Sequence, residues 1–177
     1  MKKYEFTGET KEIKLLFRTA VLHRIRATVS FGFVKIGDLG GWIEKEENLS
    51  HEGKAWVCGD AKVWGNAEVC GDAKVWGNAE VCGDAEVCGD AKVFSASHVL
   101  VIGAIGSRND FTTFYRDKDN EITVKCGCFL GKIDRFLEKV TQTHGDSKYA
   151  LVYRAAVEVA KLQIDLSGEA PKDADEE

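Results

Sequence analysis

From Gly53 the chain repeats itself every six residues. GKAWVC, GDAKVW, GNAEVC, GDAKVW, GNAEVC, GDAEVC and GDAKVF follow one another without an inserted residue, and a degraded eighth hexad, SASHVL, closes the run at 95–100. The third and fifth residues of each hexad are apolar: Ala at 55, 61, 67, 73, 79, 85 and 91, Val at 57, 63, 69, 75, 81, 87 and 93. Two apolar positions separated by one residue mark a short strand, because side chains alternate faces along extended backbone. The Gly-Asp or Gly-Asn pair then supplies residues tolerant of left-handed backbone angles, where the chain must turn. Strand and turn at a period of six describe a coil whose strands pair with the coils above and below. Valine at every sixth position is too apolar for a disordered tract.

This spacing resembles that of the bacterial hexapeptide-repeat proteins. The resemblance implies a left-handed parallel β-helix with three hexads, eighteen residues, per turn, so that residues eighteen apart stack. On one face Lys62, Glu80 and His98 then form a ladder of alternating charge. On a second, Trp56, Lys74 and Lys92 lie beside Cys58, Trp76 and Phe94, where lysine stems can cover rings. On the third, Glu68 stacks on Glu86 and Cys70 on Cys88; the like charges favour a cation, a basic partner or one protonated carboxyl. The outward row of Trp64, Trp76 and Phe94 calls for a cover. That cover is the protein's own terminal segment, a sister subunit or a foreign partner, and the interface candidates are Trp56, Trp64, Trp76, Phe94, Lys74 and Lys92.

The flanks divide the chain into an N-terminal β cap (1–52), the hexapeptide-repeat β-helix (53–106), a C-terminal hairpin with a helical pair (107–166) and a disordered acidic tail (167–177). In the cap, Val21–Val29 and Phe31–Ile36 read as β-rich runs followed by a Gly-Asp-Leu-Gly-Gly turn, with Ile43 and Leu49 already in the inward register. A cap is needed because the end of a β-helix is an unpaired edge. Downstream, FTTFYRDKDNEITVKCGCF alternates on both sides of Asp117-Lys118-Asp119-Asn120, as a hairpin does. Ile133, Phe136, Leu137 and Val140, then Tyr149, Val152, Tyr153, Ala156, Val159 and Ala160, carry helical periodicity, with Gly145 between two helices and Asp146 or Ser147 as a cap. The expected class is mainly β: a short left-handed parallel β-helix with an N-terminal antiparallel β cap, a C-terminal β-hairpin and two α-helices.

LGGWIEKEENLSHEGKAWV before the repeats and GCFLGKIDRFLEKVTQTHGD after them resemble a group of hexapeptide-repeat proteins carried by bacteriophages and prophages. That resemblance implies a binding protein acting on a host protein, such as part of an antiphage defence system, and a homo-oligomer, a dimer or trimer. It brings no catalytic motif. An acyltransferase of the wider class needs a histidine base and a loop excursion that shapes its pocket, and the repeat here has no such loop. His98, the one histidine within the stack, reads as a rung of a surface ladder. A zinc anhydrase needs three convergent histidines, which His23, His51, His98 and His144 do not supply. A sponge for signalling nucleotides is the small-molecule alternative, with Arg24 and Arg26 beside Arg108 or Arg116 at a subunit seam, and His98, as ligand candidates.

The formal net charge of −5 argues against nucleic-acid binding. No apolar run approaches the roughly 20 residues that span a bilayer, and MKKYEFTGETKEIK has neither the apolar segment nor the cleavage site of a signal peptide. A cytoplasmic location in a bacterial cell is therefore expected, and with it six reduced cysteines, four of them in one register of the repeat. Cys126-Gly-Cys128 is too tightly spaced for most zinc sites and reads as two small residues on one face of a strand. Neither a cofactor nor a metal is expected.

Overall fold

A computed structural model describes residues 2–168, so all but the first two residues of the expected acidic tail lie outside the described residues. Strands β1 (Tyr4–Lys14) and β2 (Thr19–Ala27) form a long antiparallel hairpin, with a register shift between Phe6 and Thr10. Strand β3 (Leu39–Ile43) runs antiparallel to β2 and parallel to the repeat, pairing Trp42 with Lys62 and Ile43 with Val63. The expected turn at Gly40 and Gly41 is thus a strand, because packing is tight there. A Cβ at Gly40 would stand 2.4 Å from Ile25 Cγ1 and 2.8 Å from Trp56 Cζ2. The run Phe31–Ile36 is a turn closed by a bridge between Phe31 and Val34, not a strand.

Each clean hexad contributes a strand of two residues: β4 (Trp56–Val57), β5 (Lys62–Val63), β6 (Glu68–Val69), β7 (Lys74–Val75), β8 (Glu80–Val81), β9 (Glu86–Val87) and β10 (Lys92–Val93). They pair in parallel as β4-β7-β10, β5-β8 and β6-β9. Backbone bonds such as Trp56 N–H to Ala73 O (2.9 Å) and Lys62 N–H to Ala79 O (2.9 Å) tie the layers. All seven repeat alanines and all seven valines are buried in one core, and each valine contributes roughly 1.5–3 kcal/mol. The turns need glycine: Gly71 has φ +69°, and a Cβ there would meet Gly89 N at 2.8 Å.

The N-terminal end of this body is closed by its own polar groups. Asn48, fully buried, donates from Nδ2 to Ala67 O (2.7 Å). Lys3 donates to Ala55 O (2.8 Å), and the Tyr4 hydroxyl donates to Leu49 O (2.9 Å). Ile43 and Leu49 are fully buried, and Leu49 bridges Val69.

Beyond the repeat, β11 (Val99–Ile105), β12 (Asp110–Arg116), β13 (Ile122–Cys126) and β14 (Phe129–Lys132) form an antiparallel sheet in that order. Helices α1 (Ile133–His144) and α2 (Lys148–Gln163) pack on it through Phe136, Val140, Tyr153 and Val157, which share a core with Phe114 and Val124. The sheet is fastened to the repeat by the Tyr115 hydroxyl donating to Cys88 O (2.8 Å), the Glu86 amide donating to Thr113 Oγ1 (3.0 Å), and a bridge between Ala91 and Asp117.

The expected class, mainly β on a left-handed parallel β-helix, is corrected by these elements. The structure is mixed, with 40% strand, 20% helix, two helices and several small sheets combining parallel and antiparallel strands. The reason is local: each hexad spends only two residues on a strand, whereas the antiparallel strands outside it run to 11 residues. The degraded hexad also departs from expectation. Ala96–His98 is a 3₁₀ turn, and Val99 begins β11. His98 is therefore no rung above Glu80. The cysteines differ as well, since Cys70 and Cys88, Cα atoms 4.6 Å apart, form a disulfide, a separation within the bonding range. Cys128 lies in the turn after Gly127 (φ +55°), not on a strand with Cys126.

Candidate functional site

The chain itself buries Trp64 of the outward aromatic row and half-covers Trp76 and Phe94. Trp64 packs with Ala20, Leu22 and Trp42 under the N-terminal hairpin, and is 7% exposed. Trp56, 2% exposed, meets Phe31 edge-on at 5.5 Å and Tyr4 at 6.4 Å. Trp76 and Phe94 are half-buried, 5.4 Å apart, with the Arg116 guanidinium over Phe94 at 4.8 Å. As an accessible contact surface, Trp56 and Trp64 are ruled out.

Within the chain, the four arginines expected at a subunit seam lie on β2, on the loop after β11 and on β12. Arg24 pairs with Glu9 (3.7 Å) and lies over Trp42, and Arg26 is held by Glu5. Arg116 is buried, donating to Ser167 O (3.2 Å) and Gly168 O (2.6 Å). Arg108 is exposed, in the loop between β11 and β12. The expected histidine ladder is also replaced. Lys62 pairs with Glu80 at 2.6 Å, while His98 is 2% exposed and its Nδ1 accepts from the Phe94 amide at 3.3 Å. Burial, and then the Arg116 charge, push the His98 imidazole below its ordinary value. The carboxylate stack of Glu68 on Glu86 is met by the chain's own Lys125, 2.7 Å from Glu86.

The remaining predicted residues, Lys74 and Lys92, do come together. They stack in the β4-β7-β10 ladder and line a groove of about 280 Å³ with Phe33, Lys54, Asp72, Asp90 and Lys118. Every side chain in it has a structural reason for its place. Asp72 and Asp90 follow the turn glycines 71 and 89 and so repeat with the ladder. Lys118 comes from the β12–β13 turn, where its amide donates to Asp90 O (3.0 Å). Phe33 comes from the loop before β3, and the Lys74 ammonium sits 4.0 Å from its ring centre. Lys118 pairs with Asp90 at 2.7 Å and Lys54 with Asp72 at 3.8 Å. The Asp90 contact raises the Lys118 ammonium above its ordinary range. The groove lining carries four lysines and two aspartates on a protein of formal charge −5. Lys74 and Lys92 were legible from the six-residue period; Phe33, Lys54 and Lys118 were not, because only the docking of the flanks brings them to this face.

No family model matches the chain, and no curated protein matches it. Among the described residues no helix is long and apolar enough to cross a membrane, and no three His, Cys, Asp or Glu side chains cluster to hold a metal.

Proposed function

We propose that the chain is a non-enzymatic binding protein whose lysine groove grips an acidic surface on another protein. The observation that carries this reading is the gathering of four lysines in one groove, with Lys74 and Lys92 held in register by the parallel ladder. Such a groove meets carboxylates with little ordering of the site on binding. The burial of His98 supports a non-enzymatic role over acyl transfer, which would need an accessible base. The likeness to prophage hexapeptide-repeat proteins makes a bacterial host protein, such as an antiphage defence component, the partner this reading favours. Self-association as a dimer or trimer is compatible with it, through surfaces other than Trp56 and Trp64.

The test is to purify the tagged full chain gently from bacterial cells, identify any bound protein by native mass spectrometry, and repeat with Lys74→Glu/Lys92→Glu. The expected result is a stoichiometric acidic partner that the variant loses and that raised salt weakens. A chain carrying no partner, or a partner held equally by the variant, would overturn the reading.

A further inference from the structure

A second concavity, sharing no residue with the lysine groove, opens between the β13–β14 turn, the loop after β11 and the two helices. Its volume is about 250 Å³. The floor is aromatic. Phe136, 3% exposed, stands 5.3 Å from Phe129 and 5.6 Å, edge-on, from Tyr153, itself 5% exposed. The rim is basic, carrying Arg108, Lys139 and His144, and the lining includes no carboxylate. Most lysines and arginines of the repeat and N-terminal hairpin have an acidic neighbour; among the described residues, Arg108 and Lys139 make no ion pair.

Two turn glycines border the cleft. A Cβ on Gly106 would stand 1.9 Å from the Tyr153 hydroxyl, and one on Gly127 would stand 2.8 Å from Arg108 Nη1. The buried Tyr153 hydroxyl therefore occupies space that a side chain at Gly106 would fill, whereas the exposed Arg108 guanidinium is free to swing aside from Gly127. Burial, and then the neighbouring Cys126, push the Tyr153 phenol up to about 12, so it keeps its proton as a hydrogen-bond donor at neutral pH.

Cations gathered over aromatic rings, with no carboxylate in the lining, are the chemistry that binds a ring carrying a negative charge. We propose that this cleft binds a small aromatic anion, a single ring bearing a carboxylate or phosphate, with the ring against Phe129 and Phe136 and the anion between Arg108 and Lys139. The cleft, about 250 Å³ and open to solvent on one side, has room for one ring and one acid group.

Calorimetric titration of the full chain with phenyl phosphate, benzoate and inorganic phosphate tests the assignment, repeated on Arg108→Ala and on Lys74→Ala/Lys92→Ala. Binding of phenyl phosphate or benzoate is expected, weakened about tenfold by Arg108→Ala, which corresponds to roughly 1.4 kcal/mol, and unchanged by the groove variant. The tighter of the two ligands identifies the acid group. Absence of binding at millimolar concentration, equal binding of inorganic phosphate, or indifference to Arg108→Ala would each overturn the proposal. Because Arg108 is exposed, its removal leaves the core intact. Loss of binding in the groove variant alone would reassign the anion to the lysine groove and overturn the cleft, whereas a failed protein partner leaves this titration unaffected.

Discussion

Trp64 shows what the fold does to a single side chain. Its position in the hexad points it away from the repeat core, yet Ala20, Leu22 and Trp42 bury it. Trp64→Ser removes that contact and leaves a cavity, so a loss of about 3 kcal/mol is expected, read as a lowered denaturation midpoint with the oligomeric mass unchanged. A stable variant of altered mass would instead place Trp64 between subunits. Lys74 and Lys92 were legible in the sequence because spacing alone aligns them. Arg116 was not: it looks like a free surface cation until Phe94 and the carbonyls of Ser167 and Gly168 close around it. Cys70 and Cys88 are intermediate. Their stacking follows from the repeat, but the bond between them depends on how closely two layers approach.

Among the elements, the β12–β13 turn depends on Asp117. Its carboxylate, 4% exposed, accepts from Thr123 Oγ1 (2.6 Å) and the Asp119 amide (3.0 Å) and pairs with Lys132. Burial alone would raise its pKa; the Lys132 and Thr123 hydrogen bonds outweigh burial and hold it below the usual range. An unfolded aspartate titrates near about 3.9. The stabilisation is therefore complete above about pH 4 and is lost as pH falls through the lower folded value. Asp117→Asn is expected to cost about 2 kcal/mol at neutral pH and to flatten the acid limb of the stability profile measured by urea denaturation. An unchanged acid limb would assign that limb to other carboxylates. This hairpin and both helices were legible from periodicity, since each buries one face of a regular pattern. Strands β11 and β14 were not, because short apolar runs such as Val99–Ile102 carry no period of their own and become strands only by pairing with β12 and β13. The β1 segment carries many exposed polar residues and becomes a strand through its pairing with β2.

For the whole molecule, the two flanks close a repeat body that would otherwise end in bare edges. Removing residues 1–27 strips the cover from Trp42 and Trp64 and exposes the edge of β3. The truncated chain is expected to associate into large species by light scattering, and elution as a discrete species of unchanged subunit number would show that the hairpin is not needed as a cap. The sequence by itself determined which repeat residues face inward, because alternation along extended backbone is a local property and alanine and valine recur in phase with it. Only the tertiary structure decided what became of the outward side chains. Whether a tryptophan is a surface or a core residue, and whether lysines and arginines pair or converge, depends on which distant segment folds over them, and no local spacing encodes that.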